Sequence, residues 1–420
     1  MNDEDLMSGK EAVSIAPLQL QALAVRSIQF PIVLKGFIKK WGPMRWTSQD
    51  WAEKFGDRKL PFRVGRIDKS KQFGEPIWER NCETEFMTLE EFLNWDAKED
   101  CRTRNKWMYF DYKYMHEWFE FDRDILKEFD WGCLGFTGRD GKESTLWIGS
   151  HGAHTPCHAD TYGFNLVAQL IGRKRWLLFP PDSNEILKRA SRIPYEESSV
   201  YVRGSVKGGF SGARGVVLCP GEVLLVPRHW WHRVDVEGGV AISVNSWIQL
   251  EQDKESRVEE SLVRFLFALS SQHLTSEEQM VLLNPNEDTL TNTPLSDCLQ
   301  LVEQSLSLCS SLQPTENCLV SSIKISEGAE DHTPPKKRMK TDEDASIKPS
   351  VKVVPLVGES WPSWDLGPSS SNVKDSGLGD ETGTLHKILN AFCHPEVISL
   401  VRQKMMQDIS HDSHFSRTNL

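Results

Sequence analysis

Apolar and polar residues alternate with a period of two through the middle of the chain, between residues 145 and 249. Turns that contain Gly and Pro divide this region into short extended runs: Leu146–Ile148, His158–Asp160, Asn165–Ile171, Lys174–Phe179, Val216–Leu218, Val223–Val226 and Ala241–Trp247. Short strands punctuated in this way are typical of a barrel made of two sheets, so we predict a mostly β fold. Because strand side chains alternate, we expect Asn165 and Val167 on one face and Leu166 and Ala168 on the other.

Helical spacing replaces this alternation near the start of the chain. The apolar residues between 18 and 27 fit one face of a helix, and Pro31–Gly36 has the composition of a first strand. Thr47 and Thr88 are each followed three positions later by an acidic residue, which is the form of a capping box. We therefore predict that residues 1–110 form a helix and strand region that packs on the barrel.

Beyond the barrel core, which we assign to residues 111–250, the period changes again. An apolar stripe at helical spacing runs through residues 251–274 and is flanked by Glu and Arg. This stripe either lies on the barrel or pairs two copies of the chain into a homodimer, and the pattern does not choose between them. We predict a helical extension over residues 251–283.

The remainder of the chain is predicted to be mostly disordered. Residues 284–383 are rich in Ser, Pro, Asp, Glu, Lys and Gly, with few residues to bury. Within them, the basic cluster Lys336–Lys340 resembles a nuclear-import signal, although such clusters are also common in solvated linkers. Helical spacing returns over residues 384–408, which predicts a short helical segment that docks on a partner or folds back on the core.

Composition narrows the function classes. The formal net charge of −11 argues against a surface that binds nucleic acid in general, without excluding a local basic cleft. The chain lacks a hydrophobic leader and a long uncharged apolar run, so we expect neither secretion nor a membrane span. Its nine cysteines contain no C-x-x-C pair, which favours reduced thiols and a cytoplasmic location.

The candidate chemistry begins at His158-x-Asp160. On a strand this spacing puts both side chains on one face. A distant second histidine then completes a triangle of two imidazoles and one carboxylate, which leaves three adjacent positions of an octahedral metal open, as in non-haem Fe(II) oxygenases. His154 competes with His158 as a ligand but has no aspartate two positions later, and both His229 and His232 follow an apolar strand that suits the second ligand.

A cation and a hydroxyl accompany this motif. Lys174 follows Asp160 by 14 positions, just after a turn at Gly172, where an ammonium group can reach a dicarboxylate bound at the metal. Thr155 lies three positions before His158 and offers a hydroxyl to the same carboxylate. The flanking Arg173 and Arg175 belong, by alternation, to the opposite strand face.

Several blocks together resemble JmjC-type, cupin-fold Fe(II)/2-oxoglutarate oxygenases of the small hydroxylase group. These blocks are Thr155-Pro156-x-His158-x-Asp160, Gly172-Arg173-Lys174-Arg175, Phe179-Pro180-Pro181 and Pro227-x-x-Trp230-Trp231-His232. More narrowly, residues 30–270 resemble the branch of proteins that associate with a small heat-shock protein (PASS), through Pro227–His232 and the stretch Arg192–Val200. Agreement over many blocks is specific for fold and metal site and much less so for substrate.

The resemblance implies a double-stranded β-helix (cupin, or jelly-roll) barrel with flanking helices, and a site within it. Fe(II) is expected on His158, Asp160 and His232, and 2-oxoglutarate, the co-substrate, on Lys174 and Thr155. Asn165, Asn245 and, from an aromatic run, Tyr109 complete the expected co-substrate contacts.

The implied activity is hydroxylation of a protein substrate, with a role in the stress response through a small heat-shock protein partner. Two alternatives remain at this stage. The barrel is a non-catalytic adaptor of that partner, or the chain hydroxylates a modified tRNA base, which its acidic balance disfavours.

Overall fold

Twelve strands and ten helices make up the described part of the chain, in a computed structural model that describes residues 16–26, 28–66, 79, 82–98, 105–183, 197–199, 212–283, 293–310, 349–356 and 380–417. The strands are β1 Ile32–Lys35, β2 Leu60–Arg66, β3 Glu83–Met87, β4 Lys106–Tyr114, β5 Thr145–Gly149, β6 His154–Asp160, β7 Phe164–Phe179, β8 Glu197–Ser199, β9 Arg214–Leu218, β10 Glu222–Val226, β11 Trp231–Ile248 and β12 Ser350–Val353. The helices are α1 Pro17–Arg26, α2 Ser48–Phe55, α3 Leu89–Lys98, α4 Met115–Trp118, α5 Arg123–Lys127, α6 Asp253–Ser270, α7 Ser276–Leu282, α8 Leu295–Ser310, α9 Asp380–Phe392 and α10 Pro395–Arg417.

Two long antiparallel strands, β7 and β11, pass through both sheets of the barrel. Their paired halves around Val167 and Asn245 lie in a large sheet of order β12-β1-β10-β7-β11-β5-β4-β2-β3. Their other halves, around Trp176 and Val234, pair with each other and with β9 and β6, and β8 pairs with β6. The predicted two-sheet barrel is confirmed, and it draws strands from well outside residues 111–250.

Gly172 allows β7 to bend from one sheet into the other. Its φ is +65°, a backbone conformation that residues other than glycine rarely adopt. A Cβ atom at this position would also lie 2.1 Å from the carbonyl oxygen of Val240 on β11. The bend therefore requires glycine, and it separates the half of β7 that carries Asn165 from the half that carries Lys174.

The alternation of β7 divides its side chains between two cores, as predicted. Leu166 and Ala168 pack with the N-terminal helices, in a cluster that includes Trp51 of α2. Val167 faces the barrel interior, in a separate cluster with Trp176. Helices α2 and α3 begin directly after Thr47 and Thr88, where the capping boxes predicted helix starts.

The apolar face of α6 is covered by helices of the same chain. Val258 and Phe267 are buried in a second core, together with Val302 of α8, Leu389 of α9 and Ile398 of α10. Arg402 of α10 adds ion pairs to Glu259 and Glu255 of α6, at 3.0 and 2.9 Å. The predicted helical segment thus folds back on the chain, and it occupies the surface that pairing through residues 251–274 would need.

Strand β12 is the main element that the sequence did not predict. It lies inside the segment expected to be mostly disordered, and it pairs along β1 from Ile32↔Val353 to Lys35↔Ser350. Val354, which follows it, is fully buried in the barrel-interior cluster. The basic cluster Lys336–Lys340 lies outside the described residues. Among the described helices, none has the length and apolar character that a membrane span requires.

Candidate metal centre

Two neighbouring strands bring the predicted ligands together. His232 of β11 lies directly opposite His158 of β6 in the antiparallel register, and the two ring centroids are 4.2 Å apart. Asp160 follows two positions after His158, so its carboxylate projects from the same face of β6. One donor atom from each of the three residues lies within 4.8 Å of the other two. We call these three residues the metal triangle.

Backbone carbonyls fix both imidazoles in the orientation that a metal needs. Nδ1 of His158 lies 2.8 Å from the carbonyl oxygen of Pro156, and Nδ1 of His232 lies 2.9 Å from that of Trp230. A carbonyl oxygen only accepts hydrogen bonds, so each Nδ1 carries the proton and each Nε2 presents its lone pair. Nε2 of His158 lies 3.6 Å from Oδ1 of Asp160, which puts these two donor atoms on the same side.

Burial keeps the His232 ring in its metal-binding protonation state. It lowers the pKa of His232 to about 4, with a smaller contribution from the neighbouring His158. The ring is therefore neutral at physiological pH, which is the form that binds a metal ion. Trp176 stacks against this ring with a centroid separation of 5.7 Å and shields it from solvent.

Lys174 lies in the same cavity and is almost completely buried. Its ammonium group donates hydrogen bonds to Ser243 Oγ at 2.7 Å and to the Tyr109 hydroxyl at 3.1 Å. Burial lowers its pKa to about 7, and the negative charge of Asp111 offsets only part of that shift. No carboxylate of the described residues forms an ion pair with Lys174, so this cation suits an anionic ligand that enters from outside.

All eight residues predicted for the site line one cavity of about 600 Å³. Besides the metal triangle, they are Thr155, Lys174, Asn165, Asn245 and Tyr109. The amide of Asn245 donates to Asn165 Oδ1 at 2.8 Å and accepts from the Trp147 indole at 2.7 Å. These two amides therefore form one fixed polar wall beside the metal triangle.

A family model described as a cupin-like domain matches residues 18–254, more than half of the chain. The chain belongs to the cupin-like domain family. It is 41% identical over 298 residues to HSPB1-associated protein 1 of Bos taurus, covering 66% of this chain and 60% of that protein. It thus spans about three fifths of the length of that relative.

More distant similarities link this cupin-like chain to other JmjC proteins. It is 25% identical over 229 residues to lysine-specific demethylase 8 of Xenopus tropicalis, covering 52% of this chain and 48% of that protein. It is 30% identical over 113 residues to a protein of Gallus gallus named 2-oxoglutarate and iron-dependent oxygenase JMJD4. The match covers 24% of this chain and 26% of that protein. The chain is a cupin-like protein of the JmjC type.

The residues that compete in sequence with the predicted site residues, His154, His229 and Arg175, do not line the cavity. His154 is buried, its Nδ1 lies 3.0 Å from the Gly152 carbonyl oxygen, and burial followed by the charge of Arg233 lowers its pKa to about 4. His229 has a φ of +65°, and its Nε2 lies 3.2 Å from the carbonyl oxygen of Thr161. Arg175 forms an ion pair with Glu237, away from Lys174.

Sequence reasoning missed the residues that support the site. The predicted site lacked Ser243, which accepts a hydrogen bond from Lys174, and Trp247, which donates one to Asp160. Both lie two positions from Asn245 on the same face of β11. The alternation of strand side chains could therefore have predicted that they belong to the site. Tyr162 and Arg257 also line the cavity, and only the docking of α6 on the barrel puts Arg257 there.

Proposed function

We propose that this chain is an Fe(II)- and 2-oxoglutarate-dependent oxygenase that hydroxylates a protein substrate. The observation that carries the proposal is the metal triangle, with both Nδ1 atoms held by backbone carbonyls, in one cavity with the buried cation Lys174. A donor set of two imidazoles and one carboxylate is the one that non-haem Fe(II) oxygenases use. The name of one more distant relative, 2-oxoglutarate and iron-dependent oxygenase JMJD4, points to the same chemistry.

The residues present fit both groups. Fe(II) would be held by Nε2 of His158 and His232 and by Oδ1 of Asp160. The distal carboxylate of 2-oxoglutarate would be held by Lys174 and by Thr155, through charge-assisted and neutral hydrogen bonds. When bound, the iron would activate dioxygen and the oxo acid would supply two of the electrons that reduce it, so that one oxygen atom enters a substrate C–H bond and the other leaves in succinate, with release of carbon dioxide.

The chain's own residues supply orientation and a dry site. Ser243 and Tyr109 already orient the ammonium group of Lys174 before a ligand binds. A bound carboxylate would give this ammonium group a charged hydrogen-bond partner in place of two neutral ones. Burial raises the pKa of the Tyr109 phenol, with Asp111 adding to the effect, so its hydroxyl stays protonated and remains a donor. Trp176 and Val167 line the cavity wall and exclude water from the metal triangle.

We propose a second role, association with a small heat-shock protein in the stress response, and the name of the relative HSPB1-associated protein 1 supports the association. We propose that this role and the oxygenase activity coexist, since the donor set is complete. A tRNA-base substrate remains the weaker alternative for a chain of net charge −11. We propose a cytoplasmic location, because nine cysteines without a C-x-x-C pair suit a compartment that keeps thiols reduced.

The test of the oxygenase uses the full chain under anaerobic conditions. Addition of Fe(II) and 2-oxoglutarate should produce the visible charge-transfer absorption of their chelate, and admission of air should release succinate. His158→Ala should abolish both signals. His273→Ala removes an exposed histidine outside the barrel and should leave both intact. Failure of the unchanged chain to bind either group at millimolar concentration would refute the proposal.

The same two variants separate the oxygenase from the adaptor role. Purified HSPB1 should bind the His158→Ala variant as well as it binds the unchanged chain. Loss of that binding in His158→Ala, but not in His273→Ala, would mean that the partner occupies the metal site itself, and the two roles would then be one.

A further inference from the structure

The mouth of the cavity carries a second cation, Arg257. It lies in the first half of α6, its side chain is exposed, and it lines the same cavity as the metal triangle. Its guanidinium lies over the ring of Tyr162, with 4.6 Å between the guanidinium carbon and the ring centroid. Stacking on a tyrosine holds the plane of a guanidinium and leaves its N–H groups free to bind.

No carboxylate of the described residues pairs with Arg257. Glu260, three positions further along α6, is already engaged by two other donors. Its Oε1 accepts from Arg264 at 2.6 Å, and its Oε2 accepts from the hydroxyl of Tyr162. Glu260 therefore fixes the tyrosine beneath Arg257 instead of neutralising the guanidinium.

The start of α6 is fastened to the loops that surround the metal triangle. Asp253 accepts from the backbone N–H of Gly163 at 2.9 Å and from that of Leu250 at 2.7 Å. Arg228, in the loop before His232, donates to Ser256 Oγ at 2.6 Å. These contacts set the position of Arg257 before any ligand arrives, which reduces the entropy lost on binding.

An aromatic wall lines the same cavity mouth. Tyr112 lies at an irregularity in β4, has a φ of +53° and is exposed at the mouth. Its ring contacts those of Trp147 and Trp247, at 5.7 and 5.6 Å between centroids. A positive φ at a tyrosine is uncommon and costs free energy, and such residues cluster at binding sites. The mouth thus combines aromatic surface with a single unpaired guanidinium among its described residues.

We propose that Arg257 is a specificity-determining residue that binds an acidic side chain of the protein substrate, close to the residue that is oxidised. The inference rests on the proposed function for the position of the mouth, and it adds the charge class of the substrate. Lys174 is buried behind the metal triangle and is assigned to the co-substrate, so Arg257 is the cation that a substrate reaches. The net charge of −11 repels a carboxylate at long range. The position of Arg257 at the cavity mouth would therefore decide where a carboxylate of the substrate binds.

The test measures binding and needs no turnover. The full chain is loaded with Fe(II) and 2-oxoglutarate without oxygen, and three fluorescent heptapeptide libraries are titrated by anisotropy. Their central residue is Glu, Gln or Lys, and the flanking positions are randomised among uncharged residues. The Glu library should bind more tightly than the other two. Arg257→Gln should weaken its binding about tenfold, and Arg257→Lys should weaken it less.

A matched control is Lys254→Gln, which removes the same charge one turn earlier on α6. Lys254 pairs with Glu251 at 2.8 Å and does not line the cavity, so its loss should leave binding unchanged. Equal binding of the Glu library to the unchanged and Arg257→Gln chains overturns the proposal, as does no binding or a preference for Lys. Tighter, Arg257-dependent binding of a single-stranded oligoribonucleotide would overturn it in favour of a nucleic acid. The charge-transfer absorption of the same samples reports the metal site separately, so its absence would instead refute the proposed function.

Discussion

The indole N–H of Trp247 donates a hydrogen bond to Oδ2 of Asp160, at 3.0 Å. This contact occupies one oxygen of the carboxylate and leaves the other, Oδ1, on the side of Nε2 of His158. Contacts of this kind set the orientation of a metal-binding carboxylate, and their loss typically costs 10–100-fold in metal affinity. Trp247 is thus a positioning residue for the metal triangle.

Trp247→Phe should keep the aromatic packing and remove the hydrogen bond to Asp160. We expect Fe(II) affinity to fall roughly 10–100-fold, because the carboxylate is then free to rotate. Isothermal titration under anaerobic conditions, with Mn(II) as a stable substitute, measures the change. Trp147→Phe is the control, since its indole donates to Asn245 and not to a ligand. An equal loss of affinity in both variants would contradict the positioning role.

Lys174→Met should weaken 2-oxoglutarate binding while Fe(II) binding persists. A hydrogen bond to a charged group contributes about 1.5–3 kcal/mol, so we expect a loss of roughly 10–100-fold in co-substrate affinity. The Kd for 2-oxoglutarate, from the visible absorption of the chelate, gives the result. Arg173→Met removes an adjacent cation that is exposed on the other strand face and should have little effect. An unchanged Kd in Lys174→Met would place the distal carboxylate elsewhere.

The same lysine makes the stability of the metal-free chain depend on pH. Burial lowers its pKa to about 7 in the folded state, from 10.5 in the unfolded chain. The groups that face it are the hydroxyls of Tyr109 and Ser243, the Trp147 ring and, through its charge, Asp111. Between these two pKa values the unfolded state binds more protons, so stability rises with pH across this window.

Lys174→Met removes this pH dependence, and the comparison of the two proteins tests it. Below pH 7 the ammonium is charged in both states, and the variant should be the more stable of the two. The gap in Tm should narrow steadily as the pH approaches 10.5. Thermal unfolding of both metal-free proteins over this range is the measurement. A gap that stays constant would show that Lys174 is not desolvated in the folded chain.

Local patterns predicted the parts of the fold that depend on neighbours in sequence. Alternation assigned Leu166 and Val167 to different faces, and the capping boxes located the helix starts after Thr47 and Thr88. The spacing of His158 and Asp160 predicted their common face for the same reason. The partner histidine required the resemblance to a family, because nothing in the sequence near His232 records which strand pairs with β6.

Local patterns could not predict features that depend on contacts between residues far apart in sequence. Arg257 reaches the cavity mouth because Asp253 binds the backbone of Gly163, a contact between α6 and a turn of the barrel. Strand β12 is four residues long, and its pairing with β1 joins residues 350–353 to residues 32–35, which are far apart in sequence. Its sequence alone does not distinguish a short edge strand from a linker, since the hydrogen bonds that define it are supplied by another segment.

Val354 offers a test of whether this late strand supports the metal centre. Its side chain is fully buried in the cluster that contains Trp176, and Trp176 stacks on His232. Val354→Ala should lower the free energy of unfolding by about 1.5–3 kcal/mol, from lost burial and an unfilled space. It should also weaken Fe(II) binding, because the support beneath His232 loosens. Chemical denaturation and metal titration measure the two effects.

Lys352→Ala is the control for this prediction, because Lys352 lies on the same strand with its side chain exposed. This variant should unfold like the unchanged chain and bind Fe(II) equally well. If Val354→Ala lost stability without loss of Fe(II) affinity, β12 would serve the barrel as an edge strand alone. If neither variant lost stability, the buried position of Val354 would be wrong. The expected result, in which both quantities fall only in Val354→Ala, would show that β12 supports the metal triangle, since the interior that it completes is the one that holds His232.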